Sequence, residues 1–94
     1  MHFVIHCTDK ADHAHVRAEN RPAHVEYLKA HAAQIVAAGP TLSEDGEAMT
    51  GSVLIMEFAD RAAAETWADG DPYNQASLFE SVSIQPWKKV FPGD

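Results

Sequence analysis

The order of apolar segments predicts an α+β protein with a ferredoxin-like β-α-β-β-α-β sandwich. Three observations carry this. Two strand-like runs, His2 to Thr8 and Ser52 to Phe58, are separated by a long stretch of helical periodicity. A second helix-like stretch, Ala62 to Ala68, follows the run from Ser52. An alternating segment from Phe79 to Trp87 comes last. Strand, helix, strand, strand, helix, strand is the split β-α-β arrangement, with helices on one face of a four-stranded sheet. The other face also needs cover. In a chain of 94 residues the natural cover is a second copy, giving a dimeric α/β-barrel-like assembly.

Each element has a local reason. In the first strand Phe3, Ile5 and Cys7 share one face, and His2, Val4 and His6 the other. Both faces are fairly apolar, so a central position is expected. Thr8 and Asp9 offer caps for a short helical turn over Ala11 to Glu19. A longer helix is expected next, with Pro22 in its first turn, where a missing N–H costs nothing. Val25, Leu28, Ala32, Ile35 and Val36 recur at helical spacing as its buried stripe, and Gly39-Pro40 ends it.

Thr41-Leu42 opens a second strand, expected at an edge, and Asp45-Gly46 marks a turn. The run Val53-Leu54-Ile55-Met56 reads as a strand covered on both faces. Asp60 is placed to cap the second helix and Gly70 to stop it. Asp71-Pro72 restarts a short helical turn. The last strand alternates Val82 and Ile84 with serines, and Val90 and Phe91 in the tail need something to pack on.

Composition narrows the function. Fourteen acidic against seven basic residues leave a net charge of −7, which repels a phosphate backbone and argues against nucleic acid. No polybasic patch or membrane-spanning run is present, Met1 to His6 lacks the basic start and apolar run expected of a signal peptide, and the single cysteine, Cys7, has no internal disulfide partner. A single domain over residues 1–94 in the cytoplasm is expected. GxGxxG, Walker, CxxC and GxSxG patterns are absent, so no cofactor is expected. Nor is a metal: His2 and His6 share a strand face but lie about 13 Å apart by strand rise. His13 and His15 lack a supporting carboxylate or thiolate pattern.

The candidate catalytic residues are His24 and Asp71. His24 borders the apolar stripe, where an imidazole can serve as general base or acid, or can be a surface histidine without a task. Asp71 precedes Pro72, as a helix N-cap does; facing an imidazole, it would orient the ring and raise its basicity. Arg17 and Arg21 flank the long helix entrance. They can bind a carboxylate or phenolate bidentately, or pair at the surface with Glu19 or an aspartate, a reading that suits Arg17 better. Tyr73 and Phe79 are candidates to line the pocket or are plain core.

The segment Arg21-Pro22-Ala23-His24-Val25-Glu26-Tyr27-Leu28 resembles the YciI-like, or YCII-related domain, family. The likeness continues at Ala38-Gly39-Pro40, Gly51, Asp71-Pro72-Tyr73, Leu78 to Val82 and Ile84 to Trp87. It spans nearly the whole chain in order. The resemblance implies a ferredoxin-like dimer akin to muconolactone-isomerase-like and cofactor-free monooxygenase barrels. It also implies a pocket in which a histidine and an aspartate meet, here His24 and Asp71. One branch of the family is similar to a dehydrochlorinase of a chlorinated hydroxyhydroquinone. Thr41 and Ser77 depart from the leucine and glycine common in the family, near the presumed cleft.

The leading expectation is acid–base chemistry on a small aromatic or enolic compound: elimination, isomerisation or dehydrochlorination. The alternative is a non-catalytic module that binds a metabolite. Haem- or oxygen-using chemistry rests on fold analogy alone.

Overall fold

A computed structural model describes residues 1–93. Among them the order is β1 (His2–Asp9), α1 (Ala14–Ala30), a 3₁₀ turn (Ala32–Gln34), β2 (Ile35–Leu42), β3 (Met49–Glu57), α2 (Arg61–Asp69), α3 (Pro72–Gln75) and β4 (Phe79–Trp87). The strands form one sheet in the order β2-β3-β1-β4, every neighbouring pair antiparallel. This is the expected ferredoxin-like α+β arrangement, with β1 central and β2 at an edge.

The helices cover one sheet face. Phe3, Ile5 and Cys7 of β1 stand opposite Met56, Leu54 and Ser52 of β3, and all six are buried. Phe58, Ala64, Trp67, Tyr73, Leu78 and Phe79 complete that core. The opposite face is less covered: Val4, Val53 and Ile55 are half-buried and His6 is exposed. Within this chain β3 therefore has one buried face and one half-buried face. Val90 and Phe91 stand 75% and 88% exposed, so both are left largely uncovered among the described residues.

The first helical region departs from expectation. No helix break separates two pieces; α1 is continuous, and Pro22 sits inside it. A proline there removes one hydrogen bond, to the carbonyl of Ala18, and both residues lie on the exposed side, where solvent can take that carbonyl. The helix then ends at Ala30, nine residues before Gly39, and Ile35 is already opposite Met56 in the sheet. Ile35 and Val36 are β-branched, and β3 needs a partner on that side, so tertiary pairing overrides the helical periodicity. Gly39 and Pro40 lie within β2, whose edge position tolerates a residue without an N–H.

Other local expectations hold. Asp60 caps α2 by accepting from Ala63 N at 2.9 Å. Asp71 caps α3, with Pro72 at its first position. Two glycines are required by space. A Cβ on Gly51 would overlap the Cys7 carbonyl across the β1–β3 ladder. One on Gly70 would come 2.7 Å from the Tyr27 hydroxyl. That hydroxyl donates to the Trp67 carbonyl at 2.8 Å, tying α1 to the end of α2.

Candidate active site

One stripe of α1 carries Arg17, Arg21, His24 and Leu28, spaced by four, three and four residues, so they share a face. That face meets α3 and the β2–β3 half of the sheet around a cavity of about 160 Å³. Tyr73, Ser52, Leu54, Gly39, Pro40 and Met49 supply the other walls. Arg21 and Met49 are exposed and mark where the cavity meets solvent. A cavity of about 150 Å³ is enough to hold a benzene ring, so the space suits one six-membered ring.

His24 and Asp71 meet. His24 is 8% and Asp71 2% exposed, and His24 Nδ1 lies 2.9 Å from Asp71 Oδ1. The same oxygen accepts from the Tyr73 backbone N–H at 2.9 Å. A carboxylate only accepts, so Nδ1 carries a proton, and in the neutral imidazole Nε2 then keeps its lone pair. Nε2 makes no hydrogen bond among the described residues. His24 is thus buried, not the surface residue that helical position allowed.

Asp71 reaches this place for local reasons. Pro72 holds it in extended geometry, with φ −60° and ψ 126°, as an N-cap requires. Its cap function and its contact with His24 use one carboxylate. Tyr73, two residues on, stacks on the imidazole with centroids 3.9 Å apart and planes 13° from parallel. The histidine ring is fixed at its edge by Asp71 and on its face by Tyr73.

Arg17 differs from expectation. It is buried, not at the surface, and Nε and Nη2 donate to Asp9 Oδ2 and Oδ1 at 2.8 and 2.9 Å. Nη2 also donates to Ser52 Oγ at 3.0 Å. Its guanidinium lies 4.7 Å from the centre of the Tyr73 ring. Burial alone would lower its pKa; the hydrogen bonds and charge of Asp9 outweigh that and push it up. Asp9 was expected to cap a helix. It ends β1 instead, and the helix starts at His13 without a side-chain cap.

Phe79 does not line the cavity. It packs edge-on against Tyr73 at 6.1 Å and belongs to the core behind it. Thr41 and Ser77 do not line it either. Asp9, Ser52 and Leu54 had no signal as isolated residues; the i, i+4, i+7, i+11 spacing from Arg17 to Leu28 was the available clue.

Burial pushes the Tyr73 phenol up, against the pull of Arg17 and Arg21. Tyr27 is also pushed up, by burial and then by the charge of Asp71. Burial, with Asp71 and Asp9 nearby, pushes the Cys7 thiol up to about 12, so it is neither a nucleophile nor a ready ligand at neutral pH. Among the described residues no three His, Cys, Asp or Glu side chains gather as a metal site, and no helix is long and apolar enough to cross a membrane.

The chain is similar to known proteins along nearly its whole length. Residues 1–88 match the model of the YCII-related domain. Protein YciI of Escherichia coli O6:H1 is 41% identical over 98 residues, covering 97% of this chain and 100% of that protein. A 5-chloro-2-hydroxyhydroquinone dehydrochlorinase from Burkholderia phenoliruptrix AC1100, solved with 2,5-dihydroxybenzoquinone, superposes with a TM-score of 0.89. It is 35% identical, with 100% of both chains covered. An antibiotic biosynthesis monooxygenase shares the fold alone, at a TM-score of 0.55 and 15% identity over 96% of this chain and 99% of its own.

Proposed function

Because the chain belongs to the YCII-related domain family, we propose that it is a small-molecule enzyme that uses His24 and Asp71 for cofactor-free acid–base chemistry on a small aromatic or enolic ring. The observation that carries this reading is the 2.9 Å bond from His24 Nδ1 to Asp71 on the cavity wall, which leaves Nε2 uncommitted. His24 Nε2 takes a proton from the substrate. Asp71 holds the tautomer and stabilises the imidazolium that forms. The returned proton, or departure of a leaving group such as chloride, completes an isomerisation or elimination.

The ring-sized cavity supports this reading, as does likeness to a dehydrochlorinase over its full length. The test is chloride release from 5-chloro-2-hydroxyhydroquinone and a panel of enolic analogues. His24→Ala and Asp71→Asn should each lose about 10²- to 10⁴-fold in turnover. Wild-type rates in both variants would sink the proposal. A compound recovered unaltered from the purified protein, with no turnover of any analogue, would instead favour a metabolite-binding module.

The proposal includes a homodimer acting in the cytoplasm. Half-buried Val4, Val53 and Ile55 on the open sheet face, with exposed Val90 and Phe91, give a second copy something to bury. Light scattering of the purified chain reads this directly; a monomer at micromolar concentration rules it out.

A further inference from the structure

Resting on the acid–base reading above, we propose that Tyr27 is a positioning residue of the site: its hydroxyl grips the corner between α2 and α3 and so sets Asp71 against His24.

Asp71 stands in that corner, which is only two residues long, Gly70 and Asp71. α3 has four residues, too few to persist by its own hydrogen bonds, so its place depends on what it packs against. The corner folds on carbonyls from the last turn of α2. Gly70 N–H donates to the Thr66 and Trp67 carbonyls, each at 3.2 Å, and Asp71 N–H to that of Ala68 at 3.2 Å. These bonds are internal to the corner, and none ties it to α1, which carries His24.

Hydrogen bonds from two side chains of α1 supply that tie. His24 meets Asp71. Tyr27, three positions later and adjacent on the helix surface, donates its hydroxyl to the Trp67 carbonyl at 2.8 Å. That carbonyl also serves Gly70 N–H, so the phenol grips an atom on which the corner folds. Three residues separate the two ties by about 4.5 Å along the axis of α1. One tie alone is a pivot; two set both the distance and the rotation of the carboxylate. Tyr27 is itself held, its ring packing on Trp67 and His31 with centroids 4.8 and 4.9 Å away.

Gly70 is an independent sign of this grip. Its φ of −83° and ψ of −8° are open to every residue, so the backbone does not ask for glycine. Space does: a Cβ would sit 2.7 Å from the Tyr27 hydroxyl and 3.5 Å from its Cζ. The missing Cβ makes room for one atom, the oxygen that makes the bond. The charge of Asp71 adds to burial in pushing the Tyr27 phenol up, so the two groups lie within electrostatic reach. Tyr27 does not line the cavity, and so acts through Asp71 rather than on a substrate.

The test reads His24 in long-range ¹H–¹⁵N spectra of the whole chain, without ligand. Tyr27→Phe should turn Nδ1-protonated His24 into a tautomer mixture, because a loosened Asp71 no longer fixes the ring. Gly70→Ala should do the same from the other side. With Tyr27→Phe and Gly70→Ala combined, the new methyl meets a ring carbon at ordinary contact distance, so His24 should be disturbed no more than by Tyr27→Phe alone. Asp60→Ala, which removes the cap at the far end of α2, is the stability control: the melting temperature should fall while His24 stays unmoved. With 5-chloro-2-hydroxyhydroquinone as probe, Tyr27→Phe should lower kcat about 10- to 100-fold and leave KM near that of wild type, as misplacement of a catalytic group does.

If Tyr27→Phe and Gly70→Ala melt lower yet keep the wild-type His24 spectrum, Tyr27 is a structural tie alone; this assignment fails and the acid–base reading stands. If Asp60→Ala disturbs His24 equally, the effect is general loosening and the assignment also fails. If the spectra change as expected but His24→Ala turns over the probe like wild type, the acid–base reading fails and Tyr27 remains the residue that positions the pair.

Discussion

The Oδ1 atom of Asp71 stands 2.9 Å from Nδ1 of His24, across 47 positions of sequence. The first prediction follows from the double duty of that oxygen. Asp71→Asn can still accept from the Tyr73 N–H, so the cap and the fold should survive. The imidazole, however, loses the carboxylate that fixes its tautomer. Long-range ¹H–¹⁵N spectra should report Nδ1-protonated His24 in wild type and a tautomer mixture in the variant. An unchanged tautomer would mean that Asp71 is a helix cap alone.

The second prediction concerns Arg17 and Asp9. Both side chains are over nine-tenths buried, at 8% and 9% exposure. Removing one partner leaves a buried charge without its counterion, so Asp9→Ala should cost about 3–5 kcal/mol in denaturant unfolding. Replacing both, as Asp9→Leu with Arg17→Met, should cost less than the sum of the single changes. Additive losses would show that the pair is not coupled.

Cys7 sets a pH dependence. Its thiol rises from an ordinary 9.0 to about 12 in the folded protein. The folded state therefore holds this proton more tightly than the unfolded chain. Its contribution is fully present below pH 9.0 and is lost as pH climbs toward about 12. Tyr27 and Tyr73, both pushed up, act in the same direction. Chemical denaturation should show stability falling above the ordinary thiol range, by up to about 1.4 kcal/mol per pH unit for each such proton. Iodoacetamide at pH 8 should label Cys7 only after unfolding; rapid labelling of the native protein would contradict this.

Ser77 stands in the left-handed region with φ 59°. A side chain there costs roughly 1–2 kcal/mol relative to right-handed backbone, and glycine avoids most of it while giving back some unfolded-state entropy. Ser77→Gly should therefore stabilise the protein by about 0.5–1 kcal/mol, a rise in Tm of roughly 4 °C. A lower Tm would show that the serine side chain compensates for its backbone.

The sequence by itself determined the sheet faces of β1, the caps Asp60 and Asp71, and the span of β4 from Phe79 to Trp87. Each of these rests on neighbours within a few positions: strand alternation, a carboxylate before a helix, a proline at its first turn. It also named His24 and Asp71 as candidates. What it could not determine lay in competition between distant partners. Ile35 and Val36 fit a helical stripe, yet β3 drew them into the sheet, because an unpaired strand edge and β-branched side chains outweighed the local period. Pro22 reads as a helix start until the exposed side of α1 is known to tolerate it. Arg17 reads as a surface cation until Asp9, Ser52 and Tyr73 surround it. The meeting of His24 and Asp71 belongs with these: chain spacing says nothing about a 2.9 Å contact, which α1, packed against α3 over the sheet, alone creates.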